Sequence, residues 1–300
     1  MKISFTKMQG CGNDYIYVNG FTEKVPAEDK PEIVRRLSDR HFGIGGDGVI
    51  FINPSEKADF EMEMYNLDGS RGEMCGNGIR CVGKYVYDRG MTDKTEISVE
   101  SAGAVKQLTL YPDGKTIGSV RVDMGAPMLA PAGIPVIPEK LVPGSGDNVF
   151  AGEEKGMLLD VPFEVSGETW RMSAVSMGNP HAVIRLPEGM DPDDLDLPSI
   201  GPAFENHPAF PRRTNTEFIR VIDRKTVKMR VWERGSGETL ACGTGCCAVG
   251  VSCVLNGWTD SEITVKVRGG ELHIAWDGEP GHPVMMTGPA VEVFGGTVEI

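Results

Sequence analysis

Two cysteines of this chain stand directly before a Gly-x-Gly step: Cys75 in EMCGNGIRCVGKYV and Cys242 in LACGTGCCAVGVSCV. Each is followed by a helix-like run with Val-Gly at the same offset. A cysteine at a helix start lies where several backbone N–H groups lack intrahelical partners. That end also carries partial positive charge. Both effects favour thiolate over thiol, so the pattern predicts a lowered thiol pKa. The glycines allow unusual backbone angles and close approach of a ligand. The same N–H groups suit a carboxylate. Each copy therefore offers a thiol and a carboxylate grip. Two such turns facing each other across a cleft support two-base chemistry: one thiolate takes a proton from a carbon, and the opposite thiol returns one to the other face. General acid–base help of this kind is worth roughly 10²–10⁴-fold. Fixed dipoles and exclusion of water must supply the rest.

The other cysteines read differently. Cys81, Cys246, Cys247 and Cys253 fall inside the helical runs and read as core residues. Cys11, in a glycine turn beside Asn13, stays open between core residue and cleft neighbour. No Cys-x₂-Cys pairing of the structural-zinc kind is present, so no metal is expected. If Cys75 and Cys242 approach each other, oxidation becomes a hazard or a switch. GIGGDG, from Gly43 to Gly48, fits a dinucleotide fingerprint formally but lacks its strand–turn–helix context. It reads as a tight turn under the site. Gly114-Lys115-Thr116 is a plain turn without the earlier glycine of a phosphate loop.

The elements that must position these thiols repeat as well. Cys75 and Cys242 lie 167 residues apart; the Gly-Asn steps at Asn13 (GNDYIYV) and Asn179 (GNPHAVI) lie 166 apart; TEISVE at Thr95 and SEITVK at Ser261 also lie 166 apart. Such a period is far too long for a solenoid, and two similar domains are the simpler reading. Glu233 stands nine residues before Cys242, as Asn66 stands nine before Cys75. Short alternating runs predict strands at MKISFTKM, TEISVES, SVRVDMG, HAVIRL, TEFIRVI, TVKMRVWE, SEITVKVRGGELHIAW and AVEVFGGTVEI. The Gly269-Gly270 pair predicts a hairpin turn. Helices are predicted at PEIVRRLSDR and after each cysteine turn, ending near Gly90 and Gly257. Residues 126–160, rich in Pro, Gly and Ala, read as an extended connection with surface loops after a domain boundary near residue 122.

Three hundred residues, 40% of them hydrophobic, suffice for one large domain or two medium ones. The 30 basic and 43 acidic residues give a net charge of −13, which argues against a nucleic-acid partner. The opening MKISFTKMQG lacks the apolar stretch of a signal peptide, and no apolar run approaches a membrane span. A cytoplasmic location with reduced thiols is therefore expected. The seven cysteines, an odd number, speak against a disulfide framework.

GCGNDY, NLDGSRGEMCGNGIRC, SMGNPHAV, RTNTEFI and WERGSGETLACGTGCCA, in this order from about Met8 to Val249, resemble the diaminopimelate epimerase family. Proline racemases and phenazine-type isomerases share that family's fold. The resemblance implies an isomerase that needs no cofactor and interconverts LL- and meso-diaminopimelate, intermediates toward lysine and peptidoglycan. It implies an α/β (α+β) architecture of two pseudo-symmetric domains, each a strand-rich, barrel-like sheet around a central helix, with the active site in the cleft between them. Residues 1–122, completed by a C-terminal strand over 288–300, would form one half and 123–287 the other. A homodimer is also implied. Cys75 and Cys242 fall on the family's catalytic thiols, and His181 and Glu233 on positions that tune them. Asn13, Asn66, Gly76, Asn77, Asn179, Asn215, Glu233, Arg234, Gly243 and Thr244 fall on its substrate contacts. Gly48 stands where some members carry a substrate-contacting glutamine and is left out of the site. The inventory suits a substrate with two amino-acid ends: amides serve ammonium or carboxylate groups, and an arginine fork suits a distal carboxylate. The cysteine pair counts against the phenazine-type branch, and Glu233-Arg234 with Asn215 count against a proline racemase. A racemase or isomerase with another substrate stays the nearest rival. A non-catalytic duplicated binding module is the other class.

Overall fold

The computed structural model describes residues 1–72, 74–142 and 156–300. Glu73 of the first cysteine motif and the stretch 143–155 of the central connection lie outside the described residues. The chain divides into two compact units, Met1–Asp123 with Thr287–Ile300, and Met124–Met286.

The first unit contains β1 (Lys2–Gly10), β2 (Asn13–Asn19), α1 (Lys30–Ser38), β3 (Gly48–Asn53), β4 (Phe60–Asn66), α2 (Gly76–Asp88), β5 (Glu96–Ser101), β6 (Ala104–Asp113) and β7 (Thr116–Asp123). The second contains β8 (Val161–Val165), β9 (Glu168–Ser176), β10 (Pro180–Arg185), α3 (Leu197–Glu205), β11 (Asn215–Asp223), β12 (Thr226–Glu233), β13 (Gly237–Thr239), α4 (Gly243–Leu255), β14 (Glu262–Val267) and β15 (Gly270–Ala275). β16 (Met285–Pro289) lies at the boundary in the chain, and β17 (Val291–Glu299) pairs antiparallel with β1.

The two units are built alike. From β1 to β6 the pairings run antiparallel, parallel, antiparallel, parallel, antiparallel. From β9 through β10, β11, β12 and β14 to β15 the order is the same. Parallel neighbours need a crossover connection. α1 and α2 supply it in the first unit, and α3 and α4 in the second. α2 packs against β1, β2, β6 and β7; α4 packs against β9, β10, β11, β14 and β15. Residues Gly76–Val86 of α2 are all buried, and α4 is almost wholly buried. α4 meets this enclosure with an apolar run, CCAVGVSCV; α2 meets it by pairing its buried polar groups, Arg80 with the carbonyl of Gly76 and with Asn77, and Lys84 with Asp88. The repeated Val-Gly has a packing reason. A Cβ on Gly83 would come 2.8 Å from Leu110, and one on Gly250 2.6 Å from Ile274. Both glycines let a strand lie directly on the helix.

Three sequence expectations need correction. The hairpin turn consists of Arg268 and Gly269, while Gly270 opens β15 opposite Val267. The connection after residue 126 is not a surface loop where it is described. Its prolines set short 3₁₀ turns at Pro131–Gly133 and Pro138–Lys140, and Ile134, Val136, Leu141 and Leu158 join the second unit's core. Four buried aliphatic side chains, each worth roughly 1.5–3 kcal/mol, outweigh the loop character of the glycines around them. The third is α3, LPSIGPAFE, a helix beyond those predicted. Pro198 sits in the first turn, where a missing N–H has no intrahelical partner to lose.

Candidate active site

Cys75 is the N-cap of α2. Its backbone is extended, and its Sγ accepts the N–H of Gly78 at 3.2 Å. The thiol donates to Asn13 Oδ1 at 3.0 Å. Asn13 is held in that sense by Asp47, whose Oδ2 accepts the amide Nδ2 at 2.6 Å and the N–H of Asp14 at 3.1 Å. A carboxylate accepts only, so the amide must turn its oxygen to the sulfur. Arg40 bridges Asp47 and Asp14, and Lys7 pairs with Asp14. The Tyr15 phenol lies against Asn13 and Cys75; burial first, then the charges of Cys75 and Asp47, push its pKa far above the ordinary range. The GIGGDG turn thus wraps the end of α1, with Gly45 and Gly46 donating to Leu37 and Ser38, and carries Asp47 to Asn13.

Cys242 caps α4 in the same way, accepting the N–H of Gly245 at 3.4 Å. Its neighbours differ. Thr244 Oγ1 lies 3.4 Å from Sγ and accepts Asn179 Nδ2 at 3.4 Å. Asn179 Oδ1 lies 3.1 Å from His181 Nε2, and His181 Nδ1 lies 2.7 Å from Glu217 Oε1. His181 and Glu217 are wholly buried. The expected lowering of the thiol pKa does not hold at Cys242. Burial first, then the facing carboxylates Glu233 and Glu217, push this thiol well above its ordinary range, against the smaller opposing pull of Thr244 and Gly245. The magnitudes explain the outcome. A helix start supplies about 0.3–2 kcal/mol, whereas stripping water from an ion costs several.

Glu233 ends β12, paired with Gly237, and Arg234 opens the turn to β13. Thr239 Oγ1 donates to Glu233 Oε1 at 2.5 Å, and burial raises the Glu233 carboxyl above its usual range despite that bond. Asn215 is buried, and its Oδ1 accepts the backbone N–H of Arg234 at 2.9 Å. Glu205, at the end of α3, braces the same turn. It accepts from Gly235 N at 2.9 Å, Trp232 Nε1 at 2.8 Å and Arg213 at 2.6 Å.

The structure thus joins Asn13 to Cys75, joins Asn179, His181 and Thr244 to Cys242, sets Glu233 beside Cys242 and ties Asn215 to Arg234. Gly76 and Gly243 are the first residues of the two helices. Asn77 turns its Oδ1 to the buried Arg80 at 3.0 Å, inside the helix's own bracing. Asn66 ends β4 and donates to Ser70 Oγ. Cys81 and Cys253 are core thiols, pushed by burial to about 11 and about 12. Cys11 is buried at a positive φ, 3.9 Å from Arg80 Nη2. Among the described residues no disulfide is present. Asp47, Tyr15 and Glu217 were missed by sequence reasoning. Glu217 had a signal: a lone acid in the otherwise uncharged run TEFI.

Gly48 lies opposite Asn66, and a Cβ there would fall 2.0 Å from the carbonyl oxygen of Tyr65. No side chain fits this backbone. Gly48→Ala is expected to lower the unfolding free energy by roughly 1–3 kcal/mol, measured by urea denaturation. An unchanged midpoint would contradict the close approach.

Among the described residues no helix is long and apolar enough to cross a membrane. A family model described as diaminopimelate epimerase matches residues 5–130 and 173–293. The chain is 53% identical over 298 residues to the diaminopimelate epimerase of Agathobacter rectalis, covering 99% of this chain and 100% of the relative. It is 55% identical to that of Desulfovibrio desulfuricans, covering 98% and 97%, and 54% identical to that of Acetivibrio thermocellus, covering 99% and 98%. Among solved structures, a hydroxyproline epimerase from Agrobacterium vitis with bound trans-4-hydroxy-L-proline superposes with a TM-score of 0.68 at 14% identity, over 99% of this chain and 92% of that one. A phenazine biosynthesis protein of Bacillus anthracis gives 0.67 at 17%, over 100% of both chains. At these identities the structures establish the shared two-domain mixed α/β fold alone.

Proposed function

The chain belongs to the diaminopimelate epimerase family and is an isomerase, and on that premise we propose that it interconverts LL- and meso-diaminopimelate, one of Cys75 and Cys242 removing the α-proton and the other delivering its own. The observation that carries this reading is the duplicated cysteine N-cap, built the same way in both units. One sulfur, as thiolate, takes the α-hydrogen as a proton and leaves the electron pair on carbon. The other, as thiol, gives its proton to the opposite face. Configuration inverts, and the sulfurs exchange protonation states. In the reverse direction their roles exchange.

The substrate's reacting carboxylate is held by the helix starts at Gly76-Asn77 and Gly243-Thr244, where N–H groups and helix dipoles favour negative charge. They also favour the charge that grows on that carboxylate as the proton leaves. The backbone N–H of Asn77 serves there, while its side-chain oxygen accepts from Arg80. Asn13, Asn66, Asn179 and Asn215 orient the substrate's ammonium and carboxylate groups. Arg234 takes the distal carboxylate. Glu233 serves the distal ammonium and, with His181, sets the ionisation of Cys242. The halves 1–122 with 288–300, and 123–287, each contribute one thiol. The working enzyme is a cytoplasmic homodimer that uses no cofactor.

Proton NMR of LL-diaminopimelate with reduced protein in D₂O, without added cofactor, tests this reading. The α-proton signal should decay while meso product accumulates. Reduced protein that exchanges nothing would refute the substrate assignment. Exchange on proline or another amino acid would identify the rival racemase. Binding without exchange would identify the non-catalytic module.

A further inference from the structure

Glu217 is a buried acid with half of its hydrogen-bonding capacity unexplained. Oε1 meets His181 Nδ1 at 2.7 Å; Oε2 has no hydrogen-bond partner among the described residues. A Cβ on Gly245 would begin 2.6 Å from Oε1, so the carboxylate sits against the first turn of α4. An uncompensated buried carboxylate costs several kcal/mol, and its compensation must come from His181. The imidazole stands between two oxygens, Glu217 Oε1 on Nδ1 and Asn179 Oδ1 on Nε2 at 3.1 Å. Two acceptors require a proton on each nitrogen. Asn179 Nδ2 then donates to Thr244 Oγ1, and the Thr244 hydroxyl is left to donate to Cys242 Sγ. Every bond in this row points the same way, from the imidazolium to the sulfur.

We infer that Glu217 is a positioning residue for Cys242: it holds His181 as an imidazolium, and through Asn179 and Thr244 this turns a hydroxyl proton toward the sulfur. The inference rests on the reading of Cys242 as an acid–base residue. The groups facing Cys242 are Glu233 from β12, Glu217 from β11, and Thr244 with the N–H of Gly245 from α4, with His181 from β10 behind Glu217. The bare charges of Glu233 and Glu217 work against the thiolate. The polarised row is the counterweight that lets Cys242 ionise when it must take a proton. With a neutral imidazole the amide of Asn179 would turn over, Thr244 would donate to it, and the hydroxyl oxygen would face the thiol proton instead.

The test reads the thiol and the ring, not turnover. In ¹⁵N-histidine NMR of the unaltered protein, His181 should carry protons on both nitrogens, and in Glu217→Gln on one. In a Cys75→Ala background, alkylation of Cys242 by iodoacetamide, followed by mass spectrometry over roughly pH 7–10, should slow about tenfold in Glu217→Gln at a given pH, one unit of thiol ionisation. Unchanged or faster alkylation overturns the inference, because the carboxylate would then act through its bare charge alone. A singly protonated His181 in the unaltered protein also overturns it, and that measurement needs no variant. If Glu217→Gln does not fold, Thr244→Val cuts the last link and must slow alkylation equally. A wrong substrate assignment would leave both readouts intact, so the two failures are distinguishable.

Discussion

Cys75→Ala and Cys242→Ala should each abolish net epimerisation, with kcat falling by roughly 10²–10⁴-fold or more, while the fold survives. The fold survives because each sulfur's structural work is small. It caps one helix, accepting the N–H of Gly78 or of Gly245, and losing a cap costs about 0.5–2 kcal/mol. Chemistry fails because inversion needs a group on each face. The residual activity is diagnostic. A variant with one thiol can still remove the α-proton from one stereoisomer and return a deuteron to the same face. In D₂O each variant should therefore wash out the α-proton of one isomer without inverting it, and the two variants should choose opposite isomers. Near-normal epimerisation in either purified variant would end the two-base reading. Exchange of the same isomer by both would end the assignment of one face to each cysteine.

Most of the architecture was legible because the chain states it twice. Repeats of 166–167 residues announced two copies of one topology, and periodicity found strands such as Thr226–Glu233 to the residue. The helices after Cys75 and Cys242 end at Asp88 and Leu255, two residues short of glycines with positive φ, Gly90 and Gly257. What stayed hidden is what tertiary packing decides. α3 carries two prolines and too few residues for a clear period, yet Gly201 lets it lie directly on Trp232. Its last residue, Glu205, then braces the Glu233-Arg234 turn. Missing that helix meant missing the support of half the site.

The thiols and their asparagines were legible from type and spacing, but their ionisation was not. A helix start suggests a thiolate. The opposite result at Cys242 depends on which strands bring Glu233 and Glu217 against it, a fact of register rather than of local sequence. Asp47 was hidden for the same reason: nothing in GIGGDG states that its carboxylate will lock Asn13. The two halves consequently treat the repeated asparagine differently. Asn13 turns an acceptor to Cys75 because a carboxylate holds its amide. Asn179 turns a donor toward Thr244 because a histidine stands at its oxygen. The repeat thus sets two alike helix caps, while the groups around Asn13 and Asn179 differ.

Arg234→Ala should raise KM for diaminopimelate by roughly 10–10²-fold, the worth of a charge-assisted hydrogen-bonded pair, and leave kcat within a few-fold. Its guanidinium reaches the carbonyl of Arg212 at 3.2 Å and has no carboxylate partner among the described residues. By contrast, nearby Arg213 and Arg230 are paired with Glu205 and Glu238. The turn that carries it is pinned by Asn215 and Glu205, so the fork is aimed by its backbone, and losing the side chain should not move the thiols. A loss confined to KM means removal of an interaction equal in ground and transition states, as expected at the non-reacting end. Arg234→Lys should fall between, since an ammonium keeps the charge but not the planar fork. A large fall in kcat with unchanged KM would place Arg234 at the reacting end instead. An analogue lacking the distal carboxylate separates the cases: it should bind the unaltered protein and Arg234→Ala equally well, because the group that the arginine recognises is gone from both comparisons.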